Sequence, residues 1–320
     1  MKGKQGLVCM GLLLVLSSCS CHTGKQITAS GLQRKDFQTE VNGQHTDLFT
    51  LSNKQGMEVC ITNYGARVVS ILVPDRNGKR EDVVCGFSTI TEYMEQRQNF
   101  GSTVGRYIGR ILNARFTLDG VEYKLVPNNG KSGHISHGGN PGFADRIWKV
   151  EQADTHRVRL SYLSPDGENG FPGNLKVTLV YSLGEDDNAL DLTYEATTDA
   201  PTVLNLSHHS FFNISGNFTK SVEDQQLWVD ADRFTPYDDK KCVTGEYLPV
   251  AGTPLDFRMP HTIGECIDAD HPQLKVVNGY DHTWELNTKG DDTRPAAWVY
   301  DPASGRKMEI FTTEPGMQIY

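Results

Sequence analysis

Leu175-Lys176-Val177-Thr178-Leu179-Val180-Tyr181 sets Leu175, Val177, Leu179 and Tyr181 on one side of a period-two pattern. Successive side chains of a strand point to opposite faces of a sheet, so this run suits a strand with one face in a core. The pattern repeats on either side. Val158, Leu160 and Tyr162 alternate with Arg157, Arg159 and Ser161, and Leu190, Leu192 and Tyr194 alternate with Asp191 and Thr193. Turn formers separate the runs, as in Ser164-Pro165-Asp166-Gly167-Glu168-Asn169-Gly170-Phe171-Pro172-Gly173 and Pro74-Asp75-Arg76-Asn77-Gly78. Asp119-Gly120, between Ala114–Leu118 and Val121–Leu125, predicts a hairpin whose two-residue loop needs positive φ. Helix signal is thin, with one short segment near Thr91 to Arg97. The reading is all-β: antiparallel strands numerous enough that they must close on themselves or stack as sheets.

The 320 residues, 38% hydrophobic and 22% charged, are enough for a sizeable core, and no linker divides them. Three regions are expected: a signal peptide over 1–18, a tether over 19–38 and one β domain over 39–320. Lys2 and Lys4 precede an apolar run from Leu7 to Leu16, too short to span a bilayer as a mature helix. Leu16-Ser17-Ser18-Cys19 has the form of a bacterial lipobox, which predicts export, lipidation at Cys19 and attachment to the cell envelope by that anchor alone. The alternative is an ordinary cleaved signal. A net charge of −9 argues against nucleic acid and against a polybasic membrane patch. The remaining cysteines show no CxxC and no zinc-like spacing, so no metal is expected. Cys60 and Cys85 read as buried thiols, and Cys242 with Cys266 is a conceivable disulfide pair.

Chemistry-bearing residues cluster in six segments. Asn205-Leu206-Ser207-His208-His209-Ser210-Phe211-Phe212-Asn213 sets two histidines in an aromatic frame, and on a strand the two rings would point to opposite faces. His134-Ile135-Ser136-His137-Gly138-Gly139 places an imidazole before glycines that permit close backbone approach. Arg110 offers several fixed donors to hydroxyls or a carboxylate, with Arg106 as its local rival. Asp256, between Leu255 and Phe257, and Glu314, before Pro315-Gly316, supply carboxylates. Each also has a plain structural reading: a surface ion pair for Arg110, a pair with Arg258 for Asp256, a solvated turn carboxylate for Glu314. Asp281 and His282 either line a site or pin a loop. A Walker A loop, a Rossmann glycine fingerprint, HExxH and GxSxG are all absent, which argues against nucleotide, hydride-transfer, zinc-hydrolase and α/β-hydrolase chemistry.

Taken in order, several segments resemble the aldose 1-epimerase (galactose mutarotase) family: NYGARVVSILVPDRNGK (63–79), GRYIGRI (105–111), ARFTLDGVEYKL (114–125), HGGNPGFADRIW (137–148), NLSHHSFFN (205–213), GTPLDFR (252–258), NGYDHTWEL (278–286) and the stretch from 300 to 320. The resemblance implies a β-supersandwich that interconverts α and β anomers of free aldoses such as glucose and galactose, without a cofactor. It implies Glu314 as catalytic base and His209 as catalytic acid, with Arg110, His137 and Asp256 holding the sugar. Two positions depart from the family pattern, Gly109 and His208 standing where asparagine is common. Family members usually run several tens of residues beyond the Glu-Pro-Gly motif, so an unpaired sheet edge and weakened stability and activity are expected of a chain ending at Tyr320. Two other functions stay open on the sequence: a non-catalytic carbohydrate-binding lipoprotein, and a glycoside hydrolase or lyase, which would need two carboxylates flanking its bond.

Overall fold

The computed structural model of the protein describes residues 26–320. The expected signal segment and Cys19 lie outside them. Apart from two short helices, Ile90–Gln96 and Pro272–Val277, and a few single turns, the described chain is strand and loop. Every strand pair is antiparallel, which bears out the all-β reading. Thr89 caps the first helix by accepting the Glu92 amide, which places it within a residue or two of the expected segment.

Four four-stranded sheets carry the architecture. Leu48–Ser52, Glu58–Thr62, Arg67–Pro74 and Arg80–Asp82 form a meander, as do Lys149–Ala153, Arg157–Ser164, Leu175–Leu183 and Leu190–Thr198. The first core lies between these two sheets, built on Val59, Ile61, Val68, Trp148, Leu160, Val177 and Tyr181. In the C-terminal half, Gln226–Val229 and Ala297–Tyr300 centre one sheet, and Arg233–Thr235 and His282–Glu285 centre another. A second core forms around Phe234, Phe257, Trp284 and Leu286, and Val299 packs against both cores.

The strand Leu175–Leu183 is buried more fully than its alternation predicts, Thr178 and Val180 each being only 7% exposed on the expected outer face. Register explains this. Thr178 lies opposite Glu195 and Val180 opposite Arg159, and the Arg159–Glu195 ion pair (3.3 Å) spans that face with its aliphatic stems. The hairpin at Asp119-Gly120 forms as expected, with Leu118 paired to Val121 and φ of +50° and +79° at the loop. The expected tether is corrected for residues 26–38. Phe37 is fully buried against Leu48, Tyr64, Val69 and Tyr93, and Arg34 donates to Asp47 (2.8 Å), so apolar burial fixes this segment to the first sheet. The conceivable Cys242–Cys266 disulfide is not formed, and Cys60, Cys85, Cys242 and Cys266 are free thiols.

Candidate active site

The site is carried by a short two-stranded ladder. Ser207–His209 pairs with Ser102–Val104, setting His209 opposite Ser102 and His208 opposite Thr103. Strand alternation then separates the two imidazoles. His208 turns inward toward Tyr181 (6.3 Å between ring centroids), its Nε2 2.7 Å from the Ser210 hydroxyl. His209 turns outward between His137 and Phe211, at centroid distances of 5.5 and 5.1 Å.

His137 reaches this position through an unusual turn. Its own φ is +52°, and Gly138 and Gly139 follow at +80° and +108°. A Cβ on Gly138 would lie 1.9 Å from the Gly105 carbonyl oxygen, so the turn seats against the backbone before Arg106 in a way only glycine permits. The Gly109 amide donates to His137 Nδ1 (3.3 Å), while the His137 amide donates to the Gly109 carbonyl (2.9 Å). A ring that accepts at Nδ1 and is neutral carries its hydrogen on Nε2. Burial, with the nearby His209 and Arg110 charges, pushes the His137 pKa down to about 4, so the ring is a neutral Nε2–H donor at physiological pH.

Arg110 and Arg106 separate cleanly. Arg106 is fully buried and donates to the carbonyls of Ser164, Pro165, Pro172 and Gly173, tying the end of the strand Arg157–Ser164 to the loop that follows it. Arg110 is half-buried and donates to the Lys241 carbonyl (3.1 Å). His134 is structural, its Nδ1 accepting the Asn113 amide (3.0 Å).

The carboxylate whose charge acts on His209 and Arg110 is the half-buried Asp281. Burial raises its pKa, opposed by a hydrogen bond from Gln318 (Nε2 to Oδ1, 2.6 Å) and by the charges of Arg110, Lys241 and His209. Burial in turn lowers the His209 pKa, and Asp281 works to raise it. Tyr237 joins the group as a buried phenol whose pKa is pushed up to about 12 by burial and by Asp281, so it stays protonated.

Neither Asp256 nor Glu314 joins the histidines. Asp256 is held by Arg258 through two 2.9 Å contacts, the ion pair that was its plain structural reading, and this pair lowers its pKa. Glu314 is exposed. The strand Gly316–Ile319 runs beside His282–Glu285 with Gln318 opposite Thr283 and Gly316 opposite Glu285, so Asp281 and Glu314 lie at opposite ends of the pair. Glu314 sits in the bend that leads into Gly316–Ile319, before the end of that strand remote from Asp281. Sequence reasoning favoured pinning a loop over lining a site for Asp281, and it missed Gln318 and Tyr237. The available signal was the Asp281-His282 pair. Like His208-His209, it alternates across a strand start, and the buried His282, packed on Phe234 and Trp284, leaves Asp281 facing the other way.

The family model described as aldose 1-epimerase matches residues 47–320. The chain belongs to the aldose 1-epimerase family. The galactose mutarotase of Sus scrofa is 38% identical over 85% of this chain and 76% of its own length. The aldose 1-epimerase of Escherichia coli K12 is 36% identical over 87% and 79%. Among solved structures, galactose 1-epimerase from Lactobacillus acidophilus superposes with a TM-score of 0.78 at 30% identity, covering 88% of this chain and 81% of that one. An aldose epimerase homologue from C. elegans gives 0.77 at 31% identity, over 85% and 81%. This aldose epimerase family member thus has the galactose-mutarotase-like β-supersandwich fold. Arg110, His137, His209 and Asp281 all lie within the matched span.

Proposed function

We propose that the protein is an aldose 1-epimerase that exchanges the α and β anomers of a free aldohexose such as glucose or galactose. The observation that carries this reading is the convergence of His209, neutral His137, Arg110 and the Asp281–Gln318 pair on one surface. His209 gives a proton to the ring oxygen as the C1–O5 bond breaks, and takes it back on closure. In the same step the anomeric hydroxyl gives its proton to the Asp281 carboxylate, and it regains that proton on closure. Asp281, rather than Glu314, is the described carboxylate near His209. Between the two events the open aldehyde turns about C1–C2, and closure on its other face yields the other anomer. His137 Nε2–H and the Arg110 guanidinium hold sugar oxygens, which reduces the entropy lost in alignment. A positioned proton donor contributes about 10²- to 10⁴-fold.

Polarimetry of freshly dissolved α-D-glucose and α-D-galactose tests the reading. The protein should hasten the drift to equilibrium rotation, and His209→Ala should lower kcat by at least about 10²-fold. A wild-type protein that binds sugar without hastening the drift would instead be a binding module. Export and lipid anchoring at Cys19 are a separate part of the proposal, supported by the basic start, the apolar run and Leu16-Ser17-Ser18-Cys19. Incorporation of labelled palmitate, lost in Cys19→Ala, is the expected outcome, and an unlabelled wild type would overturn it.

A further inference from the structure

The loop between Pro236 and Thr244 is built as a small rigid clasp. Asp238 accepts the amides of both Lys240 and Cys242 at its Oδ1 (2.9 Å each). Its own amide donates to the Cys242 carbonyl (2.9 Å), and Lys241 donates back to the Asp238 carbonyl (3.0 Å). The Thr244 amide closes the base on Pro236 (3.0 Å). Gln273 anchors the loop from outside, donating from Nε2 to the Tyr237 carbonyl (3.0 Å) while its Oε1 accepts the Tyr237 amide (2.8 Å). At the tip Lys241 takes φ +61°, a conformation that non-glycine residues hold only where surrounding bonds enforce it. The carbonyl presented there accepts from Arg110 Nη1 (3.1 Å).

Arg110 needs such a partner. Its guanidinium belongs to the N-terminal half and feels the Asp281 charge, and the hydrogen bond described for it is the one to this carbonyl, which ties its orientation to the C-terminal half. An arginine left without it keeps its charge but samples many rotamers, and ordering it on a ligand then costs entropy. We propose that Asp238 is a positioning residue for sugar binding: by locking the 236–244 loop it holds the Lys241 carbonyl on Arg110 and keeps that guanidinium aimed at the pocket. Asp238 need not touch the sugar. The inference rests on the anomer-exchange reading for its kinetic readout only.

The test uses the full chain. Asp238→Ala should raise KM about 5- to 10-fold with kcat within about twofold, because binding weakens equally in ground and transition states. Asp238→Asn retains an oxygen acceptor for both amides and should restore KM to near the wild-type value. In an Arg110→Ala background Asp238→Ala should raise KM no further, since residues acting through one contact are not additive. Nitrogen-15 relaxation of the Arg110 Nε–H adds a readout independent of turnover, with the signal expected to be rigid in wild type and in Asp238→Asn, and mobile in Asp238→Ala. An unchanged KM and a rigid Arg110 in Asp238→Ala would overturn the proposal, as would a KM effect that persists undiminished without Arg110. If the wild type shows no anomer exchange, the functional reading fails alone, and Arg110 relaxation still decides whether Asp238 positions it.

Discussion

At the scale of single residues, the ionisation of His209 and Asp281 is set by opposing effects. Burial pushes each toward its neutral form, and each favours the charged form of the other. Their pKa values therefore move toward one another from the usual 6.5 and 3.8. The form with protonated His209 and ionised Asp281 then dominates only over a narrow range, and kcat/KM should follow a bell falling off on both sides. NMR titration should show His209 below 6.5, and Asp281→Asn should move it lower still by removing the charge that favours the imidazolium. An upward move would mean the two do not face each other. Asp281→Asn should also reduce kcat/KM by about 10²-fold or more, as for loss of a positioned proton-transfer group. Glu314→Gln should stay within about twofold, as for an ordinary surface substitution. Polarimetric rates on the two variants decide between the carboxylates. The histidines, Arg110 and the divergence of His208 from His209 were legible because strand alternation and motif spacing act locally. The choice among carboxylates was not. Asp256 and Glu314 flank apolar or turn residues just as a buried carboxylate would, and only the folded chain pairs Asp256 with Arg258, leaves Glu314 exposed and brings the Asp281 charge to bear on His209.

At the scale of elements, the turn after Ser136 matters more than its length suggests. It aims His137 by three successive left-handed residues packed on Gly105. Gly138→Ala forces a methyl into the Gly105 carbonyl and should destabilise the protein by about 2–4 kcal/mol, in the range of severe steric substitutions. Gly120→Ala, also at positive φ but with open space around it, should cost only about 1 kcal/mol, the strain of the backbone alone. Thermal or urea unfolding of both variants measures the contrast, and equal losses would show that the clash is relieved by local movement. The hairpin at Asp119-Gly120 and the three long strands were readable because turn chemistry and period two are local signals. The two-residue ladders and the 236–244 clasp were not, since strands such as Leu248–Pro249 and His261–Thr262 are too short to show a period and form only because a neighbour supplies the edge.

At the scale of the whole molecule, three histidines should set the acid limit of stability. His137, His208 and His282 each fall to about 4, burial being the first cause in every case. A histidine kept neutral in the folded protein but free to protonate near 6.5 when unfolded contributes stability that is complete above that value. That contribution is lost as pH falls from about 6.5 toward about 4. The thermal midpoint should therefore drop steadily across this window, and replacing His282 with Gln or Phe should flatten the drop. A midpoint indifferent to pH over that range would show that these rings protonate without strain.

The pocket also lies along a seam. His137, His209 and Arg110 come from the half built on the first core, whereas Asp281, Gln318 and Tyr237 come from the half built on the second. Direct links across it include Arg110 to Lys241 and Phe211 to Tyr320. A hexose seated there is a rivet between two halves that already meet at Val299 and Arg306. It stabilises the joined form by RT ln(1 + [L]/Kd), so saturating sugar should suppress hydrogen exchange at the boundary first, leaving the interior of each half little changed.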